Sequence, residues 1–232
     1  MRTFKALFAT VATILMGVPL QAEIYNFSVN STIDGTGLPD DQTISSSSVS
    51  SIGSVTVSLD ITGTYNGDLY GYLQHHDSVN NTDSNVAILL NRIGRTALLT
   101  DGFADAGMHI TLSDAAPGLD VHQQTSGGGL LTGTFKPDAR DFNPATVVTG
   151  DARTTLLNTT FQNMDANGDW TLFLVNFGGQ GTSTLNGWSL DVELSGVPEP
   201  TNIAMAVFAF LLVGVKGTAW VMDRRTMRRA AY

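Results

Sequence analysis

The sequence predicts an all-β domain built as a sandwich of two sheets, and three observations lead there. Val55-Thr-Val-Ser-Leu-Asp-Ile-Thr62 alternates strictly, with Val55, Val57, Leu59 and Ile61 on one face and Thr56, Ser58, Asp60 and Thr62 on the other. That period of two belongs to a strand buried on one side only. Near the end of the domain, Asp165–Asn176 and Trp188–Leu194 form a second strand signal, split by a Gly/Ser/Thr loop. No stretch between them sustains a 3.6-residue period, and turn residues punctuate short apolar runs throughout.

Taken in order, Arg2 and Lys5 precede the apolar run Ala6 to Val18, followed by Pro19-Leu-Gln-Ala22. A positive start, an apolar stretch too short to span a bilayer and a small residue for cleavage predict a secretory signal peptide over residues 1–22. Ile24–Val29 reads as a first strand, and the Gly/Pro/Asp/Ser-rich stretch Asn30–Ser51 reads mostly as loop. After Val55–Thr62 the Asn66-Gly67 pair signals a hairpin or tight corner, followed by the aromatic strand Leu69–Leu73. His75–Asn85 reads as a polar loop. Strands are expected at Val86–Leu90, Thr96–Leu99, Met108–Leu112, Leu130–Pro137 and Leu156–Phe161.

In the closing pair, Trp170, Leu172 and Leu174 share one face while Phe173 and Val175 share the other with Thr171. Apolar groups on both faces place that strand in the interior of its sheet. Trp188, Leu190, Val192 and Leu194 alternate with Ser189, Asp191 and Glu193, so this strand covers a core on one side. Both tryptophans begin buried patterns and read as core.

The domain, residues 23–196, carries 17 Asp and 2 Glu against four Arg and one Lys, a formal charge of −14. Such a field excludes nucleic acid as a partner and attracts cations and basic partners. Cysteine is absent, so neither disulfides nor thiol chemistry contribute.

Known catalytic signatures are missing. Gly181-Thr-Ser183 lies in a loop before the last strand with no general base in the sequence around it, and no elbow serine, phosphate loop or zinc-protease motif occurs. No enzymatic activity is expected. His75-His76-Asp77 offers imidazoles for a transition metal, against a simple solvated loop. Asp165-Ala-Asn-Gly-Asp169 begins like a calcium loop, but Trp170 stands where an EF-hand needs glycine and Asn176 where it needs a bidentate Glu, leaving Asp165 to a turn. Tyr65, Tyr70 and Tyr72 are candidate stacking groups for sugar.

The tail, residues 197–232, runs Val197-Pro-Glu-Pro200, a mainly apolar span Ile203–Met222, then Asp223-Arg-Arg-Thr-Met-Arg-Arg229. About twenty residues at ~1.5 Å each cross a hydrocarbon core, so a single transmembrane helix is expected. Arg224, Arg225, Arg228 and Arg229 fix its cytoplasmic end.

This tail resembles the PEP-CTERM sorting signal, with Pro198, Glu199 and Pro200 as its motif and the arginine cluster as its end. The resemblance implies recognition by an exosortase in the membrane, cleavage near the motif, and delivery to the cell surface or extracellular polysaccharide matrix of a Gram-negative-type bacterium. Lys216 and the greater length depart from that pattern.

Ser54–Leu194 resembles the P domain, or P/Homo B domain, of kexin- and furin-like subtilisin proteases. The resemblance is carried by Thr64-Tyr-Asn-Gly-Asp-Leu69, Leu89-Leu-Asn-Arg92 with Gly94, Gly133-Thr-Phe-Lys-Pro137, Asn167-Gly-Asp-Trp-Thr-Leu172 and Gly181-Thr-Ser-Thr-Leu-Asn-Gly-Trp-Ser-Leu190. It implies a jelly-roll β-sandwich. It also implies structural calcium, for which Asp101-Gly-Phe-Ala-Asp105 together with Asp68 supplies candidate oxygen ligands. The middle, Asp114–Gly129 and Asn143–Thr155, is longer than the family pattern.

The expectation is a non-catalytic exported module with a structural or adhesive role, binding extracellular polysaccharide or another envelope component. The first alternative is an accessory or stabilising subunit of a separately encoded subtilisin-like protease. The second is a calcium-dependent carbohydrate-binding module.

Overall fold

Among the described residues, ten strands arranged in two sheets account for the alternating patterns. The computed structural model describes residues 22–195. The expected signal peptide up to residue 21, Pro198, Glu199, Pro200, the expected transmembrane helix and Arg224, Arg225, Arg228 and Arg229 lie outside the described residues, among which no helix is long and apolar enough to cross a membrane.

Sheet A is ordered β1, β10, β3, β7, β8, from Ala22–Ile33, Ser183–Leu194, Ile52–Gly63, Met108–Ser113 and Leu131–Phe135. Its pairs are antiparallel except β7 with β8. Sheet B is ordered β2, β9, β4, β5, from Leu38–Ile44, Gly168–Asn176, Leu69–Asp77 and Thr82–Asp83, and β6, Ala87–Asn91, also pairs with β4.

The two closing strands lie in opposite sheets, each between two neighbours. β9 sits between β2 and β4, as its two apolar faces require, and β10 between β1 and β3. Trp170, Leu172 and Leu174 meet Val55, Val57, Leu59, Ile61, Leu190 and Val192 in one buried core. That burial is the main stabilising term, at about 25 cal/mol per Å² of apolar surface.

Several segments differ from the sequence reading. Leu38–Ile44, expected as loop, is a strand, because its inward positions include Asp40 and Gln42, which hide the alternation. His75, His76 and Asp77 extend β4 rather than forming a loop. Thr96–Leu99 is a turn: Thr96 Oγ1 accepts the N–H groups of Leu98 and Leu99, and Leu98 is 99% exposed. Leu157–Phe161 is a one-turn helix, α1, buried through Leu157 and Phe161, with Phe161 against Trp170 at 5.1 Å. Of the hairpin or tight corner signalled by Asn66-Gly67, by contrast, the corner forms as expected, since a 3-10 turn over Asn66–Asp68 carries the chain from sheet A to sheet B.

Gly168 shows how tightly β9 enters. Its φ of +142° is open to glycine, and a Cβ there would fall 1.8 Å from the His76 carbonyl oxygen.

Candidate functional site

Alternation on sheet B leaves one set of side chains facing outward, and register aligns them in rungs across the strands. Pro39, Phe173 and Tyr72 form the first rung, Asp41, Thr171 and Gln74 the second, and Thr43, Asp169, His76 and Asp83 the third. The second and third rungs line a groove of about 580 Å³, and their residues include no Lys or Arg.

The first rung is aromatic. Tyr72 stacks on Phe173 with centroids 5.0 Å apart and planes 18° from parallel, and Tyr70 meets Tyr72 edge-on at 6.3 Å. Gly37 makes room for this, because a Cβ on it would lie 2.5 Å from the Phe173 ring. Burial, with the nearby Asp141 charge and Tyr72, pushes the Tyr70 hydroxyl up to about 12, so it stays neutral.

The groove carboxylates are each pinned through one oxygen and exposed to solvent. Asp169 accepts from Thr43 Oγ1 at 2.6 Å, Asp41 from Thr171 Oγ1 at 2.6 Å, and Asp83 Oδ1 meets His76 Nδ1 at 2.7 Å. Each keeps one oxygen without a partner among the described residues. The floor is mid-sheet, where backbone N–H groups belong to the ladders, so nothing there forms an oxyanion hole. The arrangement suits binding through stacking, hydroxyl contacts and negative charge.

The residues singled out in sequence fall in separate places. His75 and His76 point to opposite faces of β4 and cannot share a metal. His75 is buried, stacked on Trp170 at 4.0 Å with Nε2 2.7 Å from the Asp165 carbonyl, and burial lowers its pKa. Asp77 accepts the N–H groups of Val79, Asn80 and Asp165. Asp165 closes the expected turn onto Asn167. Of the tyrosines, Tyr70 and Tyr72 lie on this face, whereas Tyr65 lies at the corner, its hydroxyl donating to the Gly102 carbonyl.

The three aspartates proposed for calcium occupy two loops and a turn. Asp68 is buried and accepts the N–H groups of Gln180 and Gly181; burial raises its pKa, and Asp68 Oδ1 has no partner. Asp105 accepts from Thr125 Oγ1 and from the N–H groups of Ser126 and Gly128. Asp101 adds a charge felt at Asp68. The Arg92 charge also reaches Asp68, and its cation competes with any metal there. Among the described residues no three His, Cys, Asp or Glu side chains are grouped to hold a metal ion.

One charged cluster had no sequence signal at all. His122 Nδ1 lies 2.8 Å from Asp138 Oδ2 and its Nε2 2.9 Å from the Arg95 carbonyl; Arg140 bridges Asp138 and Asp120 at 3.2 and 3.0 Å. All four side chains are buried. Burial pulls the imidazole down, but the Asp138 hydrogen bond and charge outweigh it and raise the His122 pKa. With both ring nitrogens engaged, this His–Asp pair has none left to activate a nucleophile. It fastens the long middle of the chain to sheet B, because Asn91 at the end of β6 donates to the Arg140 and Phe142 carbonyls.

No protein-family model matches the chain, and no curated protein matches its sequence. Among solved structures, the serine protease of Aeromonas sobria aligns with a TM-score of 0.40 and 16% identity, over 76% of this chain and 27% of that one. A chain from the crystal structure of the A. sobria serine protease in complex with the chaperone ORF2 aligns with a TM-score of 0.41 and 15% identity, over 82% of this chain and 29% of that one. The chain therefore spans less than a third of the length of either. Neither likeness is close enough to carry an argument about this chain.

Proposed function

We propose that the domain is a non-catalytic, exported binding module of P-domain, jelly-roll type, sorted to the envelope or extracellular matrix, whose outer face on sheet B holds polysaccharide. The observation that carries this reading is the aromatic rung Tyr72–Phe173 set directly beside a polar groove. Stacked rings give an apolar platform for a sugar face, and the adjoining hydroxyl, amide and carboxylate groups meet its hydroxyls. Calcium is not needed for those contacts.

The test is retention of the domain on extracellular polysaccharide from the native host, by affinity electrophoresis. Tyr72→Ala and Phe173→Ala are expected to lose the retardation while keeping the melting transition. Unchanged retardation in both variants removes the face from the reading.

A second reading, an accessory subunit of a subtilisin-like protease, is favoured by a different surface. Leu98 and Leu99 project from the 96–102 turn, and Phe177 is exposed beneath the Arg92 guanidinium at 5.6 Å. Arg92 also donates to the Thr100 carbonyl, which ties the turn that carries Leu98 and Leu99 to the guanidinium over Phe177. Co-purification of a protease that Leu98→Asp abolishes supports it; a monomeric domain in native extracts removes it.

A further inference from the structure

We propose that the groove on sheet B selects a cationic glycan, a polymer of amino sugars bearing unacetylated amines; this rests on the polysaccharide reading above. The occupant is set by charge complementarity. Asp41, Asp83 and Asp169 each present a carboxylate oxygen without a partner to the groove. No Lys or Arg occurs in β2, β9, β4 or β5; the one basic side chain in the lining is His76, which pairs with Asp83 and leaves Asp41 and Asp169 without a counter-charge. A polyuronate meets only repulsion there, and a neutral glycan leaves three half-satisfied carboxylates under it.

The distribution of the charges decides between a polymer and an ion. Adjacent strands lie about 4.8 Å apart, so Asp169 on β9 and Asp83 on β5, separated by β4, stand about 10 Å apart. Asp41 lies one rung further along, beyond β9 on the other side. Carboxylates so spaced do not close on one cation, in keeping with the absence of a metal cluster among the described residues. They match a ligand carrying amines at intervals of one or two sugar rings.

The same face disfavours a basic peptide. Its floor strands β9 and β4 are paired on both sides, so a peptide can add a strand only at the β2 or β5 edge and not across the groove where the carboxylates point. The half-exposed Tyr72 and Phe173 rings beside the groove instead offer apolar contact to a pyranose ring.

Residues 22–195 form one compact unit around the sandwich core, so that stretch is used for the test. Titration calorimetry below neutral pH compares a glucosamine hexamer, its N-acetylated counterpart, an oligogalacturonate and an oligolysine of equal charge. The glucosamine oligomer is expected to bind about tenfold tighter than the acetylated one, as three solvent-exposed ion pairs allow, and to weaken with salt. The triple variant Asp41→Asn, Asp83→Asn, Asp169→Asn is expected to equalise the two, and Tyr72→Ala to weaken both. Equal binding of both oligomers by the parent domain, or preference for the uronate, overturns the cationic inference and leaves the polysaccharide reading standing. Oligolysine binding as tightly as glucosamine overturns it in favour of a basic protein partner. Binding of none of the four overturns both.

Discussion

Trp188 on β10 donates its indole N–H to the Asp40 carboxylate on β2 at 2.7 Å, a hydrogen bond that joins the two sheets. Asp40 also accepts from Gln42 Nε2, so the polar side chains on the inner face of β2 satisfy one another at the rim of the core. Asp40→Ala leaves the indole without a partner and is expected to cost about 2 kcal/mol in urea unfolding. Asp40→Asn keeps an acceptor and is expected to cost less. Equal losses for the two variants show that the bond does not contribute.

The buried His122–Asp138 pair gives stability a dependence on pH. Because the folded-state pKa of His122 is raised, the pair contributes fully below the unfolded value of about 6.5. Its contribution is lost as pH rises through the raised folded value. Unfolding free energy is expected to fall over that window in the parent and to fall less in His122→Gln. A parent profile flat across the neutral range contradicts the assignment.

Asp68 and Asp105 are engaged by backbone N–H groups, so chelation is expected to leave the melting temperature unchanged. Asp68→Ala is expected to cost about 2–3 kcal/mol, because it orphans the N–H groups of Gln180 and Gly181. A melting temperature lowered by EDTA and restored by calcium makes the Asp68 corner a calcium site instead.

Gly168→Ala is expected to destabilise the domain by at least about 3 kcal/mol, since its methyl group meets the His76 carbonyl at 1.8 Å and its φ is strained for any L side chain. Gly118→Ala, with positive φ but no atom within 4 Å, separates the two effects and is expected to cost only about 1 kcal/mol.

Where one face is wet and the other apolar, the strands were legible: β3, β7 and β10 follow directly from their alternation. β2 was hidden because Asp40 and Gln42 occupy inward positions, and a polar residue inside is intelligible only once its partner is known. Leu98 and Leu99 misled for the opposite reason, since apolar residues on an exposed turn carry the same local signal as a strand. For the groove, Tyr72 was visible as an aromatic, but Asp41, Thr171 and Asp83 come from strands far apart in sequence. Only the register brings them together. The His122, Asp138 and Arg140 cluster was invisible because its members lie on irregular chain that no periodicity marks.

The order in which the chain supplies its strands has a bearing on when the sheets can close. β9 and β10, the last two strands among the described residues, are interior strands of sheets B and A, so β1 and β2 have no sheet partner, and β3 and β4 lack one neighbour, until they arrive. A nascent chain that stops short of Gly168 holds only fragments of each sheet, with β1 and β2 lacking the neighbour they pair with. Such a chain cannot complete either sheet, so the fold closes only once residues 168–194 are available.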